Sequence, residues 1–106
     1  MRCVVHIVSR KKLVDYCKAN KRKDAPAVKS ALDAWFHEVK RSSWKSPSDI
    51  KKKYASASIL PNDRVVFNIS GNKYRLVAII RYRAQRVFIR FIGTHKEYDK
   101  INATEV

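Results

Sequence analysis

The stretch VFNISGNKYRLV, from Val66 to Val77, and the stretch FIGTHKEYD, from Phe91 to Asp99, decide the fold that this sequence predicts. The first places the turn residues Ser-Gly-Asn between two apolar runs, a pattern typical of a β-hairpin. Working outward, alternation rich in Val, Ile, Phe and Tyr predicts strands over residues 64–69, 73–82 and 86–93. Tight turns of Ser-Gly-Asn and Arg-Ala-Gln join these strands, so we expect an antiparallel meander.

The beginning of the chain predicts an edge strand and a first helix. A short apolar strand is expected from about Cys3 to Ile7. Ser9 is the expected N-cap of a helix that extends to about Ala19. The basic run Lys-Arg-Lys at residues 21–23 then interrupts the apolar pattern as a charged turn.

The second helix is the most strongly indicated element of the chain. Asp24 is its expected N-cap, and Pro26 lies in its first turn, where the missing N–H leaves no hydrogen bond unmade. Apolar residues recur at helical spacing at Val28, Leu32, Trp35, Phe36 and Val39. We expect this stripe to face the sheet.

The rest of the chain completes the predicted fold. A short helix is expected over residues 46–54, a loop over 55–62 and a last helical turn over 95–100. The pattern predicts one α+β domain over residues 1–106, with a sheet that is mostly antiparallel. In this fold the first strand is added at an edge of the meander, and the helices pack on one face.

Strand alternation predicts which side chains share a face. Arg75 and Val77 are expected to point away from Tyr74 and Leu76. On the last strand we expect one face to carry Phe88, Arg90 and Ile92, and the opposite face to carry Val87, Ile89 and Phe91. Because the last two strands are antiparallel, the sequence Gly-Thr-His that ends the meander is expected beside Arg75.

Composition points to a folded domain with a polyanionic partner. The 106 residues include 24 Lys and Arg against 9 Asp and Glu, a formal net charge of +15, and 45% are hydrophobic. This apolar fraction excludes a disordered basic tail, and the charge attracts polyanions with a steep dependence on salt. Charge alone does not separate RNA, DNA, an anionic membrane and an acidic protein.

The cysteines and the termini indicate a reduced, cytoplasmic protein. Cys3 and Cys17 have no metal-binding or redox spacing. The first apolar run is too short for a signal peptide, and no window reaches transmembrane length. We therefore expect no membrane partner.

The candidate chemistry is RNA cleavage without a metal or a cofactor. The three histidines lie in different predicted elements, and Gly71 and Gly93 form no phosphate-binding loop. RNA supplies its own nucleophile, the 2′-OH, so a base and a fixed cation suffice. Arg75 can supply the charge and His95 the base, and Tyr98 shares a helical face with His95 at i, i+3.

Each candidate also has a structural interpretation. A single histidine at a strand end is more often a surface residue than a catalytic one, and Arg75 beside a turn is typical of a solvated edge charge. Tyr98 can simply cover the sheet edge. The basic runs at residues 10–12, 21–23 and 51–53 suit exposed faces, although three of them in one domain favour polyanion binding. Trp44 is either a core residue or a base-stacking platform, and we favour the core.

Four motifs, in order along most of the chain, resemble the HigB branch of the RelE/ParE toxin superfamily. They are AWFHEVK at 34–40, WKSPSDIK at 44–51, VVFNISGNKYRLV at 65–77 and IRFIGTHKEYDKI at 89–101. The resemblance implies a RelE-like fold and the toxin of a type II toxin–antitoxin system. Such a toxin is an endoribonuclease that cleaves mRNA, commonly on the translating ribosome, and its partner is a helix-turn-helix antitoxin of the HigA type.

The resemblance also assigns roles to residues of this chain. It implies that Arg75 contacts phosphate and that His95 and Tyr98 transfer protons. The residues expected to bind RNA are Lys73, Asn72, Lys96, Arg90, Lys51, Lys52 and Lys53. The slot of Lys96 varies in the family, and Ser70 stands where a glycine is common.

A different class of function remains open at this point. The chain could be a basic module without catalysis that binds ribosomal RNA or a protein target, including a gyrase-directed toxin of the same superfamily. Replacement of His95 by alanine separates the two, because only the nuclease depends on that side chain.

Overall fold

A computed structural model describes residues 6–8, 10–71 and 73–106 of the chain. Its elements in chain order are β1 (His6–Val8), α1 (Arg10–Ala19), α2 (Ala25–Lys40), α3 (Pro47–Lys53), β2 (Ser58–Ile59), β3 (Arg64–Ile69), β4 (Tyr74–Arg81), β5 (Arg86–Thr94) and α4 (His95–Tyr98). The five strands form one sheet in the order β1-β5-β4-β3-β2. The predicted α+β fold, with a meander and an N-terminal edge strand, is confirmed.

The sheet differs from the prediction at its two edges. β1 pairs in parallel with β5, and the residues before His6 that were expected in this strand lie outside the described part. The expected loop over 55–62 contains the two-residue strand β2, which pairs antiparallel with β3. Both residues of β2 are exposed, so this strand leaves no apolar alternation in the sequence.

The main core lies between α1–α3 and one face of the sheet. The stripe of α2 faces the sheet as predicted, with Trp35 3% exposed and its ring edge-on to Phe67, 5.3 Å between centroids. Trp44 is equally buried and stacks on Phe67, with 6.1 Å between the ring centroids. The prediction that Trp44 belongs to the core is confirmed, because its ring is not available for stacking on a base.

The opposite face of the sheet, which we call the open face, is covered only in part. A second apolar cluster lies there, formed by Val66 and Val77 of the sheet, Tyr98 of α4, and Ile101 and Ala103 of the C-terminal segment. α4 therefore packs on the other side from α1–α3. The sequence did not predict this, because a single helical turn is too short to show which side is apolar.

A β-bulge changes the faces of β5. Val77 pairs with Phe91 while the next residue, Ala78, pairs with Ile89, so Arg90 is the extra residue. Ile92 therefore joins Ile89 in the main core, while Phe91 packs on the open face. The predicted strict alternation was wrong beyond residue 89, because one inserted residue reverses every later side chain.

The predicted N-cap of α2 was also wrong in its chemistry. Asp24 precedes the helix but makes no capping hydrogen bond with its side chain. Its carboxylate instead accepts a hydrogen bond from the hydroxyl of Tyr74, at 2.9 Å. Asp24 thus links the start of α2 to the start of β4. The other expected cap, Ser9, lies outside the described residues.

The β3–β4 turn has an unusual backbone for its residue types. Ser70 and Gly71 both have positive φ, 53° and 70°. Glycine adopts this left-handed region without strain, whereas a side chain such as that of Ser70 costs about 1 kcal/mol there. This explains why glycine suits the position, and it places Lys73 directly before β4 at the turn end of the sheet.

Candidate active site

A capping box fixes α4 at the end of β5. The hydroxyl of Thr94 accepts a hydrogen bond from the amide of Glu97 at 3.2 Å, and the Glu97 carboxylate accepts one from the amide of Thr94 at 2.8 Å. Thr-x-x-Glu is a recognisable helix-start signal that the sequence analysis did not use. Because His95 is the first residue of this helix, the capping box fixes the backbone of the candidate base.

The carboxylate of Glu97 is held in its charged form. Hydrogen bonds from Thr94 lower the pKa of Glu97 below its ordinary value, and the positive charge of Arg22 acts in the same direction. The hydroxyl of Tyr16, on α1, lies 3.5 Å from the same carboxylate. Burial, together with this carboxylate, raises the pKa of Tyr16 to about 12, so Tyr16 stays protonated as a donor.

His95 is tied to the turn end of the sheet and carries an acidic neighbour. Its backbone amide donates to the carbonyl of Lys73 at 3.1 Å. Its Nδ1 lies 3.2 Å from Oδ2 of Asp99, and the two side chains are 53% and 60% exposed. Sequence reasoning missed Asp99 as a partner, although the i, i+4 spacing on a helix was a usable signal. A carboxylate beside Nδ1 favours a proton on that nitrogen and leaves Nε2 to act as a base.

Arg75 lies on the open face of β4, opposite Gly93 of β5 and Asn68 of β3. This confirms that the end of the meander lies beside Arg75. The ring of Phe91 covers Gly93 so closely that a Cβ there would be 2.7 Å from Cζ of Phe91. Any side chain at this position would displace the aromatic ring next to Arg75. The guanidinium also donates to the carbonyl of Tyr74 at 3.4 Å.

Tyr98 and Arg90 complete the group on the open face. The ring of Tyr98 packs against Phe91, with centroids 6.5 Å apart, and Tyr98 belongs to the second apolar cluster. Arg90 is exposed at the bulge. The structure therefore places Arg75, Arg90 and Tyr98 on one face, with His95 at its end.

The other residues expected to bind RNA fall into separate groups. Lys73 and Lys96 are exposed on either side of His95, and Asn72 lies outside the described residues. Lys51 donates to the carbonyls of Ala55 and Ala57, at 2.7 Å each, so its ammonium holds the loop after α3. The remaining two lysines of this run are exposed.

A further basic run comes close to the site, although the sequence gave it no role there. The hydroxyl of Tyr74 joins the turn between α1 and α2 to β4, since it contacts Asn20 as well as Asp24. Burial raises the pKa of Tyr74, so this hydroxyl remains a donor. Arg22, in the same turn, is near enough to lower the pKa of Glu97. The turn end of the sheet is thus cationic on both of its sides.

Neither a metal site nor a membrane span is found in the part that the structure describes. No three His, Cys, Asp or Glu side chains of residues 6–8, 10–71 and 73–106 gather closely enough to hold a metal ion. None of the helices within these ranges is long and apolar enough to cross a membrane.

Comparison with known proteins identifies the family. The sequence model of the HigB toxins, described as the RelE-like toxic component of a toxin–antitoxin system, matches residues 28–101. The chain belongs to the HigB toxin family. The match includes β3–β5, the capping box and all three candidate catalytic residues, and it confirms the resemblance found in the sequence motifs.

Relatives of this HigB family member are similar over nearly their whole length. The mRNA interferase toxin HigB of Escherichia coli K12 is 30% identical over 101 residues, which cover 93% of this chain and 92% of the relative. The mRNA interferase HigB of Shigella flexneri matches to the same extent. That of Escherichia coli O6:H1 is 26% identical over 73 residues, covering 67% of this chain and 71% of the relative.

Proposed function

We propose that this HigB family member is an mRNA interferase, an endoribonuclease that uses the 2′-OH of its substrate as the nucleophile. The observation that carries the proposal is the hydrogen bond from the amide of His95 to the carbonyl of Lys73, 3.1 Å long. It holds the one imidazole of α4 beside the strand that presents Arg75. A base and a fixed cation at one sheet end are the two groups that this reaction requires.

The proposed reaction is a transesterification. Nε2 of His95 removes the proton of the 2′-OH, and the 2′-oxygen attacks the adjacent phosphorus while the bond to the 5′-oxygen breaks. Arg75 stabilises the negative charge on the phosphate oxygens. Tyr98 is the candidate donor of the proton that the leaving 5′-oxygen needs. The products are a 2′,3′-cyclic phosphate and a 5′-hydroxyl, and no step involves water or a metal ion.

The substrate is proposed to be mRNA on the translating ribosome, in the cytoplasm. The relatives are named for action on mRNA, and the net charge of +15 suits association with ribosomal RNA. The proposed inhibitor is a helix-turn-helix antitoxin of the HigA type, since the family is the toxic component of a toxin–antitoxin system. Co-expression of such an antitoxin from the neighbouring gene should restore growth.

The test combines three variants with analysis of the RNA ends. Arg75→Ala should reduce cleavage by on the order of 10²–10³, and His95→Ala by about 10²–10⁴. The matched control is His37→Ala, which removes an exposed histidine of α2 and should leave cleavage unchanged. Cells should survive expression of the first two variants and not of the third.

The ends of the products decide the mechanism independently of the rates. Mapping of mRNA ends after induction should give 2′,3′-cyclic phosphates or 3′-phosphates. Cleavage should continue in EDTA on a substrate that does not need intact ribosomes. Products with a 3′-hydroxyl would show attack by water, and the proposed mechanism would then be wrong even if the chain cleaves mRNA.

A further inference from the structure

The half of the open face that the second apolar cluster leaves uncovered has its own chemistry. Val8, Phe88 and Ile79 lie side by side across β1, β5 and β4, since Phe88 pairs with both of the others. We call these three residues the apolar row. None of them belongs to either core cluster, and Val8 is 41% exposed while the other two are half-buried.

Arginines border the apolar row on both sides. Arg81 and Arg86 are paired directly across β4 and β5, two residues from Ile79 and Phe88, and Arg90 follows on the bulge. Arg81 contacts Asp63 at 2.7 Å. No carboxylate among residues 6–8, 10–71 and 73–106 pairs with Arg86 or Arg90. Like charges directly across a pair of strands are unfavourable, and a bound anion would relieve this repulsion.

The row is continuous with the candidate active site. Arg75 and Ile79 are on the same face of β4, four residues apart, which is about 13 Å at roughly 3.3 Å per residue. RNA whose scissile phosphate lies at Arg75 would reach the row within a few nucleotides. Unpaired bases bind proteins by stacking on aromatic rings while arginines hold the phosphates.

From this arrangement we propose that the apolar row and its arginines form a platform for single-stranded RNA, on which an unpaired base next to the cleaved nucleotide stacks on Phe88. The inference rests on the proposed function for the direction in which the RNA runs. A protein partner fits less well, because three apolar side chains are far fewer than the roughly 20–30 residues per side that a stable protein interface uses. Asp63, the acid beside this border, is already paired with Arg81.

The experiment measures binding separately from cleavage. The probe is a fluorescein-labelled, mixed-sequence RNA of about 12 nucleotides, a length that one small domain can cover. Its 2′-O-methyl groups prevent cleavage. Phe88→Leu should weaken binding about tenfold in fluorescence anisotropy, whereas Phe88→Tyr, which keeps the aromatic face, should bind as the unmodified chain does. Circular dichroism checks that both variants are folded.

The arginines provide a second, independent measurement. Arg86→Gln should lower the slope of log affinity against log salt concentration by about 0.7, as expected for one lost phosphate contact on a single strand. The control is Lys12→Gln, which removes an exposed charge from α1 and should leave the slope unchanged. A probe carrying 4-thiouridine should crosslink to the peptide that contains Phe88 on irradiation.

The outcomes distinguish the two proposals. Unchanged affinity in both Phe88→Leu and Arg86→Gln would overturn the platform, even if the chain cleaves mRNA. Loss of antitoxin binding in these variants, with RNA binding intact, would likewise overturn it in favour of a protein surface. Weakened RNA binding and a crosslink at Phe88 in a chain that fails to cleave RNA would support the platform and reject the proposed nuclease.

Discussion

Replacement of Asp99 by asparagine measures how much the acidic neighbour of His95 contributes to catalysis. The substitution keeps the size and polarity of the side chain and removes only its charge. The two partners are 53% and 60% exposed at a separation of 3.2 Å, so solvent screens their attraction. Exposed ion pairs contribute about 0.2–1 kcal/mol, which corresponds to a loss in rate of roughly 1.5- to 5-fold.

The assay is single-turnover cleavage of an end-labelled RNA with the enzyme in excess, which isolates the chemical step from product release. The matched control is Asp33→Asn, because Asp33 forms a comparably exposed i, i+4 pair with Lys29 on α2, at 4.0 Å. It should leave the rate unchanged. In the His95→Ala background, Asp99→Asn should have no additional effect, since its expected action is through the imidazole.

The size of the loss tests the reasoning. A reduction of about a hundredfold or more would be far too large for an exposed ion pair and would make Asp99 a reacting group itself. A loss in Asp99→Asn that persists in the His95→Ala background would show action on the substrate directly. Either result would reject the role of Asp99 as a positioning residue.

Three further predictions concern the packing and the charges. Trp35→Ala should destabilise the protein by about 3–5 kcal/mol in denaturant titration. Trp35→Phe should cost clearly less, because it also removes a buried indole N–H that has no partner. The pKa of Glu97 is lowered by folding, so its stabilising contribution is present above its ordinary value of 4.5 and is lost as the pH falls through the folded value. The difference in Tm between the unmodified chain and Glu97→Gln should therefore shrink from about pH 6 toward about pH 3. Lys51→Gln should destabilise the fold by about 1 kcal/mol because it releases two loop carbonyls, whereas Lys52→Gln should leave stability unchanged and lower the salt dependence of RNA binding.

The meander and the helical stripe could be predicted because their signals are local. Strands β3–β5 alternate over six to nine residues and are joined by recognisable turns, and α2 repeats its apolar residues over 16 positions. The two-residue strand β2 and the bulge at Arg90 could not be predicted in this way. Both depend on which backbone groups a neighbouring strand offers, and that information is absent from the local pattern.

The candidate site divides along the same line. The sequence alone supplied the residue types, namely the cation Arg75 and the titratable His95 and Tyr98, and antiparallel pairing predicted that the first two are neighbours. Their motif also determined the family. The tertiary structure alone decided that Asp99 accompanies His95, that Lys51 serves the loop after α3, and that α4 packs on the open face. The reason is that a side chain's chemistry is a property of its residue, whereas its partners depend on segments that only folding brings together.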